Sequence, residues 1–423
     1  MSTRVIIYSG KGGTGKTTVS AATACLLAGQ GKRVLIMSSD PAHSLSDVMG
    51  QAISRDDLTP LAPNLFGLEI DTIYEMRKNM AGFQRFIANT YEGKGVDSSV
   101  AAELSTQPGM DEILSLNRLL LEYKSGKWDC IIVDTAPTGN TLRLLAYPEM
   151  IIGGNTGKNF FKVYRGFSSF TRPFSRGGPQ DDFFKEVNGL MEVMNNLSSF
   201  IVNDDVSVRL VLNPEKLPVM ETKRAYTFLS LYGIRLDAVM VNKVLPKDKK
   251  LGTYFDYWVE LQAQYMQDIE AAFNPMPIFR SVMEDEEPIG VERLSAVGKR
   301  LFAECDPIGQ LYKRQLLWVE DISNNKLGYA SNGSSRKRRC LCVYLPFIDE
   351  HDELYITHLG TDVNVSAGRV QRNVSLPRIL LQSELDHYYY EDGVLRLEFV
   401  EKPPVIEEEI AWEDDPFFSK SGV

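Results

Sequence analysis

The chain has 423 residues, 43% of them hydrophobic and 24% charged, and a formal net charge of −10. That length allows two or three domains with ample core, and the composition is that of a globular chain rather than a disordered or fibrous one. The acidic balance disfavours nucleic acid as a partner, since DNA binding needs a basic face, and with no apolar run of membrane-spanning length and no signal peptide before the first strand, a soluble cytoplasmic protein without stable membrane insertion is expected.

In chain order, the first apolar run is Val5-Ile6-Ile7-Tyr8, a strand, and GKGGTGKTT follows at residues 10–18. This is the pattern of a phosphate-binding loop, carried by Gly10, Gly15, Lys16 and Thr17. Its glycines, Gly12 and Gly13 included, let backbone N–H groups curl around an anion, and the helix behind them, over Val19 to Leu27, aims its positive end at the same place. Thr14 and Thr18 complete the loop. Lys16 is expected to reach the β- and γ-phosphates of ATP, and the Thr17 hydroxyl to ligate Mg²⁺. Lys11 is an extra lysine on the entry side of the loop, suited to reach into a neighbouring subunit's site and so to make a homodimer part of the chemistry. Gly10, Gly12 and Gly15 also satisfy a dinucleotide fingerprint with Asp40 as its ribose-binding acid, but a dinucleotide has no use for Lys16 and Thr17.

The next apolar run, Val34 to Met37, ends in Ser39-Asp40-Pro41-Ala42-His43-Ser44-Leu45. Open α/β sheets bind ligands at such strand ends. Asp40 is placed to accept a hydrogen bond from the attacking water, and His43 stands where either a general base or a packing and capping residue would. Glu75 to Lys124 is mostly helical by period, with a break at Gln107 to Glu112. The third apolar strand, Cys130 to Val133, ends in Asp134-Thr-Ala-Pro-Thr-Gly-Asn140, where Asp134 would hold Mg²⁺ through water. Met150 to Phe200 is rich in Phe, Met and Gly, as a helical lid or an apolar binding groove would be, or simply as packing. Val208 to Leu212 and Ala238 to Val241 are further strands. Unbroken apolar runs alternating with helices predict a doubly wound α/β domain with a mostly parallel, two-sided sheet and a helical insert, over residues 1–322.

Asn324 to Arg339 changes character and predicts a linker, placed at 323–338, whose Arg336 to Arg339 run is either a solvated hinge or a contact for an acidic partner. Beyond it the period becomes two, giving an all-β sandwich over 339–402 with strands at Leu341 to Leu345, Glu353 to Thr357, Asp362 to Val365, Arg369 to Leu376 and Val394 to Val400, and a turn at Glu391-Asp392-Gly393. The tail over 403–423 is acidic. Of the five cysteines, Cys25 and Cys130 sit in apolar segments as core thiols. Cys340-Leu-Cys342 is a C-x-C, which on a strand turns both thiols to one face, for packing or for metal or redox chemistry.

The loop, Asp40-Pro-Ala-His-Ser-Leu45 and Asp134-Thr-Ala-Pro-Thr-Gly-Asn-Thr-Leu-Arg143 together resemble the nucleotide motifs of the arsenical-pump and tail-anchored-protein-targeting ATPase family, a branch of the dimerising P-loop ATPases. Pro108-Gly-Met-Asp-Glu112 and Asn213-Pro-Glu-Lys216 match it too, and the likeness covers roughly residues 1–320. It implies that Lys11 crosses to the partner's phosphates, that residues 40–45 and 134–143 are the two switches, and that Asn242 in Val241-Asn-Lys-Val-Leu-Pro246 reads adenine. The family's switch histidine is Asn140 here, the C-x-x-C of a zinc-clamped dimer is missing, and only one ATPase half is present. The β segment is similar to a small heat-shock, α-crystallin-type domain, on Arg372-Asn-Val-Ser-Leu-Pro377 and on residues 391–399. These features lead to the expectation of an ATP-hydrolysing, Mg²⁺-dependent homodimer. Lys11, Lys16 and Asp40 are its catalytic groups, and its nucleotide state controls binding of hydrophobic client proteins or membrane-protein segments. The alternatives are the ATPase subunit of an oxyanion pump and an ATP-independent holdase; a partitioning ATPase would need a membrane helix or a basic face.

Overall fold

A computed structural model describes residues 2–40, 44–55, 57–71, 74–75, 110–135, 189, 192–246, 252–303, 305–323, 337–348, 353–368 and 370–402. His43, Asn140, most of the insert over 150–200, most of the linker and the acidic tail lie outside the described residues.

The apolar runs become an eight-stranded sheet. In chain order its strands are β1 (Arg4–Ser9), β2 (Val34–Ser38), β3 (Thr59–Ala62), β4 (Leu65–Glu69), β5 (Cys130–Asp134), β6 (Val206–Leu212), β7 (Leu236–Val244) and β8 (Ile278–Val282), arranged 3-4-2-5-1-6-7-8. Every pairing is parallel except the edge hairpin of β3 and β4. Strand alternation sends Val5 and Ile7 to one face and Ile6 and Tyr8 to the other, and both faces are closed by apolar cores. This explains why β1, β2 and β5 carry no polar alternation in the sequence. The sequence reading did not include β3, β4 and β8, which are short, lie at or near the sheet edges, and lack the long Val/Ile runs of the central strands.

Helices α1 (Lys16–Gly29) and α6 (Val291–Phe302) close one face together. Further helices are α2 (Ser44–Met49), α3 (Met110–Lys124), α4 (Lys216–Leu231) and α5 (Thr253–Phe273), and residues 192–201 are helical as well. The α1–α6 contact depends on Gly298, where an added Cβ would lie 2.5 Å from the Ala22 carbonyl oxygen and 3.0 Å from Leu26 Cβ. Overpacking of this kind costs about 1–3 kcal/mol, more than the ~1 kcal/mol of helix propensity a side chain restores. Gly298→Val is therefore expected to lower the thermal midpoint, which differential scanning would register.

The C-terminal strands form two antiparallel sheets, with β9 (Leu317–Asp321), β10 (Arg338–Tyr344), β15 (Val394–Glu401) and β14 (Ser383–Glu391) in one, and β11 (Leu354–Leu359), β12 (Asp362–Ala367) and β13 (Val370–Ser375) in the other. The β14–β15 hairpin turns at Asp392 and Gly393, with φ of 49° and 76°, the paired positive angles a two-residue hairpin requires. One strand of this unit, β9, comes from ahead of the linker and pairs with β10. The module is docked on α4: the Tyr232 hydroxyl donates to the Gln371 carbonyl at 2.6 Å, and Thr227 and Arg372 hydrogen-bond the Pro346 and Leu231 carbonyls. Phe347 packs against Tyr226 and Phe273.

Candidate functional site

Three strand ends meet at the carboxyl edge of the sheet. Tyr8 of β1 and Ser38 of β2 are both in register with Asp134 of β5, so the loop after β1, the segment after β2 and Asp134 share one crevice. The chain passes from β1 through residues 10–15 into α1. Gly10 is required there because a Cβ would stand 2.1 Å from the Val211 carbonyl oxygen of β6. Gly15 has a φ of +86°, and a Cβ on it would meet the Asn242 side-chain nitrogen at 2.2 Å. Gly15 is also the N-cap of α1 and supplies no side-chain cap, and no acidic residue sits in the first turn. The helix thus presents its amides to an anion rather than to its own side chains.

Under the loop, the Thr17 hydroxyl donates to Asp134 Oδ2 at 2.7 Å and lies 3.1 Å from the Ser44 hydroxyl of α2. Thr14 and Lys16 both turn back to the Lys11 carbonyl, the hydroxyl at 2.8 Å and the ammonium at 3.4 Å. Lys16 is buried, and that burial lowers its pKa against the pull of Asp134 and Asp40. Asp134 is fully buried, and loss of water pushes its carboxyl up to about 7, with the Thr17 hydrogen bond and the Lys16 charge opposing the rise and Asp40 adding to it. The Asp40 amide is held by the Ser38 hydroxyl at 3.2 Å. Lys11 leaves this cluster: its ammonium pairs with Glu221 of α4 at 3.4 Å, and its side chain is 38% exposed.

The structure thus gathers Lys16, Thr17, Asp40 and Asp134 and sets Lys11 outside them. Asn242 is buried and donates to the Thr14 carbonyl at 2.9 Å, so in this structure it braces the loop. Lys243 does likewise on the Gly13 carbonyl at 2.9 Å. The sequence reading placed Ser44 only within the switch over 40–45, with no role of its own, and left out Lys243 and Glu221 as site neighbours. Ser44 opens a helix only six residues long, and Glu221 lies 210 positions from Lys11 in the sequence, joined to it only by the fold. Beside the loop, a cavity of about 340 Å³ is lined by Asn213, Pro214, Lys243, Tyr254, Trp258 and Met283, among others. Among the described residues, no helix is long and apolar enough to cross a membrane.

Residues 3–303 match the anion-transporting ATPase family, and residues 336–399 match the HSP20-like domain found in ArsA. A protein of Chlorobaculum tepidum that bears the designation of an arsenical pump-driving ATPase is 35% identical over 319 residues, covering 73% of this chain and 78% of its own. A protein of the same designation from Aquifex aeolicus is 33% identical over 395 residues, 90% of this chain and 96% of its own. The ATPase get3 of Pyrenophora tritici-repentis is 30% identical over 307 residues, 70% of this chain and 91% of its own. With its phosphate loop at the sheet edge and the family match running through all eight strands of that sheet, this chain belongs to the anion-transporting ATPase family: it binds and hydrolyses ATP, and it carries the HSP20-like domain at the C-terminal end of the ATPase sequence.

Proposed function

We propose that this ATPase works as a Mg²⁺-dependent homodimer whose nucleotide state controls capture of hydrophobic client segments, tail-anchored membrane helices among them. The observation that carries the reading is the position of Lys11. Its ammonium stands off the loop on Glu221, while Lys16 alone of the two lysines lies buried with the carboxylates. An exposed lysine at the edge of a phosphate site is suited to a second subunit's phosphates. The surface beside it is apolar: Leu217 is 61% exposed, Tyr254 74%, Tyr257 65% and Met283 51%, the composition of a partner-binding face.

The donor set fits a magnesium nucleotide. Asp134 Oδ1 is buried without a hydrogen-bond partner, beside a threonine hydroxyl and a lysine. Thr17 and Asp134 would hold the ion, directly and through water, and the ion would supply charge neutralisation for phosphoryl transfer. The chain's own groups do the rest. The loop amides and Lys16 orient the phosphates, Asp40 holds the attacking water by accepting its proton in a hydrogen bond, and Lys11 stabilises charge on the partner's phosphates. Asn242, which the family resemblance assigns to adenine, supports the loop through the Thr14 carbonyl. The apolar segment over 150–200, which carries the client reading, rests on composition and on the resemblance to targeting ATPases.

Co-expression of Lys11→Ala and Asp40→Asn chains tests the shared site. Each variant alone is expected to be nearly inactive. If Lys11 acts on its partner's nucleotide, one site of each mixed dimer is intact, and a random mixture recovers about a quarter of wild-type turnover. No recovery would place Lys11 in its own subunit's site. For the client, Asp40→Asn purified in ATP is expected to retain a hydrophobic tail helix. Its absence in every nucleotide state would remove the targeting reading and leave the ATPase. The names of the bacterial relatives favour a second reading, the ATPase subunit of an arsenical pump, for which oxyanion-stimulated hydrolysis and a membrane partner are the marks.

A further inference from the structure

The HSP20-like domain holds a feature that nucleotide chemistry does not use. On β10, alternation sends Leu341 and Val343 into the core between the two sheets, and Cys340 and Cys342 to the opposite face. Their sulfurs lie 3.6 Å apart and neither is oxidised. Trp318 and Ile322 from the β9 side and Val394 from β15 pack around them. Arg396 closes the top, with one guanidinium nitrogen 3.5 Å from Cys342 Sγ and 2.8 Å from Glu320 Oε2. Glu320 is held in turn by the Trp318 indole at 2.7 Å. The lid itself meets solvent, the Arg396 and Glu320 side chains being 27% and 39% exposed, so the thiols lie one layer of side chain below the surface.

We propose that Cys340 and Cys342 form a chelating dithiol site for a thiophilic, three-coordinate ion of the trivalent arsenic class. With sulfur–ion bonds of about 2.3 Å, a sulfur separation of 3.6 Å closes a chelate at an S–ion–S angle of roughly 100°, near the pyramidal geometry of such an ion. Among the described residues, no three His, Cys, Asp or Glu side chains are grouped to hold a metal ion, and of the neighbouring carboxylates Glu320 is already engaged by Trp318 and Arg396 and Glu398 by Arg338. A zinc ion, which takes four ligands, is therefore poorly served, whereas an ion that needs two thiolates and brings its own third substituent is satisfied. The thiolate is the form that binds, and a neighbouring guanidinium favours it. The Cys340 thiol is held below its ordinary value, first by the hydrogen bond from Cys342 and then by the Arg396 charge, with burial opposing, while Cys342, the donor of that bond, is pushed up by it and by burial, so Cys340 is the thiolate that attacks first. The other three cysteines lie elsewhere: Cys25 and Cys130 are buried in the ATPase core, and Cys305 stands on a different element. The inference does not rest on the proposed client or dimer chemistry.

Phenylarsine oxide is the probe. Two thiols add to its arsenic, two As–S bonds form, the As–O bond breaks, and both thiol protons leave with the oxygen as one water, without oxidation or reduction. Native mass spectrometry of the full chain is expected to show one adduct, and the free thiols to fall from five to three. Peptide mapping is expected to place the bridge across residues 340–342. Excess monothiol should leave the adduct in place and a small dithiol should strip it, which is the mark of chelation. Cys340→Ser and Cys342→Ser should each abolish it, while Cys305→Ser keeps it. Arg396→Met should slow capture by up to about tenfold, the worth of one unit in thiol pKa. A native wild-type chain that takes no adduct while the unfolded chain does would overturn the proposal, and this measurement needs no variant to fold. An adduct mapped to another cysteine pair would overturn it as well.

Discussion

Asp134→Asn is expected to silence the ATPase and, at neutral pH without nucleotide, to make the protein more stable. Both effects come from the same burial. The carboxyl is sealed from water, with Oδ2 on Thr17 and Oδ1 unpartnered, and its pKa rises from 3.8 to about 7. Below the unfolded value the folded and unfolded chains bind this proton alike. Between that value and about 7 the folded chain keeps the proton and the unfolded chain does not. Stability contributed by the neutral carboxyl is then lost as pH rises, by up to about 1.4 kcal/mol per unit. The asparagine cannot ionise, so its urea-unfolding free energy should stay flat where the wild type falls, and the gap should widen by roughly 2–3 kcal/mol between pH 5 and 7. Turnover is expected to drop about 10²–10³-fold, the scale of losing one electrostatic group in a phosphoryl-transfer site. Added magnesium nucleotide should stabilise the wild type far more than the variant. A variant whose pH dependence matched the wild type would show that Asp134 ionises freely in the folded chain.

The second large effect is structural. Asp237 of β7 is fully buried and takes two arginines, Arg209 Nε at 3.0 Å and Arg4 Nη2 at 2.9 Å. Arg209, itself fully buried, also donates to the Pro307 carbonyl at 2.8 Å and reaches the Tyr8 hydroxyl at 3.3 Å. Asp237→Ala leaves two guanidinium groups in the core with their counter-ion gone, and removal of one partner from a buried pair costs about 3–5 kcal/mol. The urea midpoint should fall sharply. Asp237→Asn, which keeps hydrogen bonding and loses only charge, should fall less. Because Tyr8 and Arg209 are paired across β1 and β6, two residues before Gly10, nucleotide affinity is expected to weaken along with stability in Asp237→Ala.

The parallel sheet was legible because β1, β2 and β5 are buried on both faces and so contain unbroken apolar runs. The phosphate loop was legible because its glycines answer local demands of backbone angle and close approach, which fix residue type at fixed spacing. The hairpin turn at Asp392-Gly393 was legible for the same reason. The edge strands β3 and β8 carry weak patterns, since few of their residues need to be buried, and β4 was missed because its five residues, LFGLE, contain no β-branched run. The β9 strand was assigned to the ATPase region because pairing across a linker leaves no local trace.

Arg209 stands inside an otherwise largely apolar strand, and only the fold brings Asp237 and Arg4 to it. The Lys11–Glu221 pair, spanning 210 positions in the chain, and the dock of the β sandwich on α4 are equally invisible in the sequence. Sequence by itself determined what is decided within a few residues: the loop, the central strands, and two thiols turned to one face of a strand. Tertiary structure alone decided which charges are buried together, since burial and counter-ion depend on segments far apart in the chain that pack only when the sheet closes.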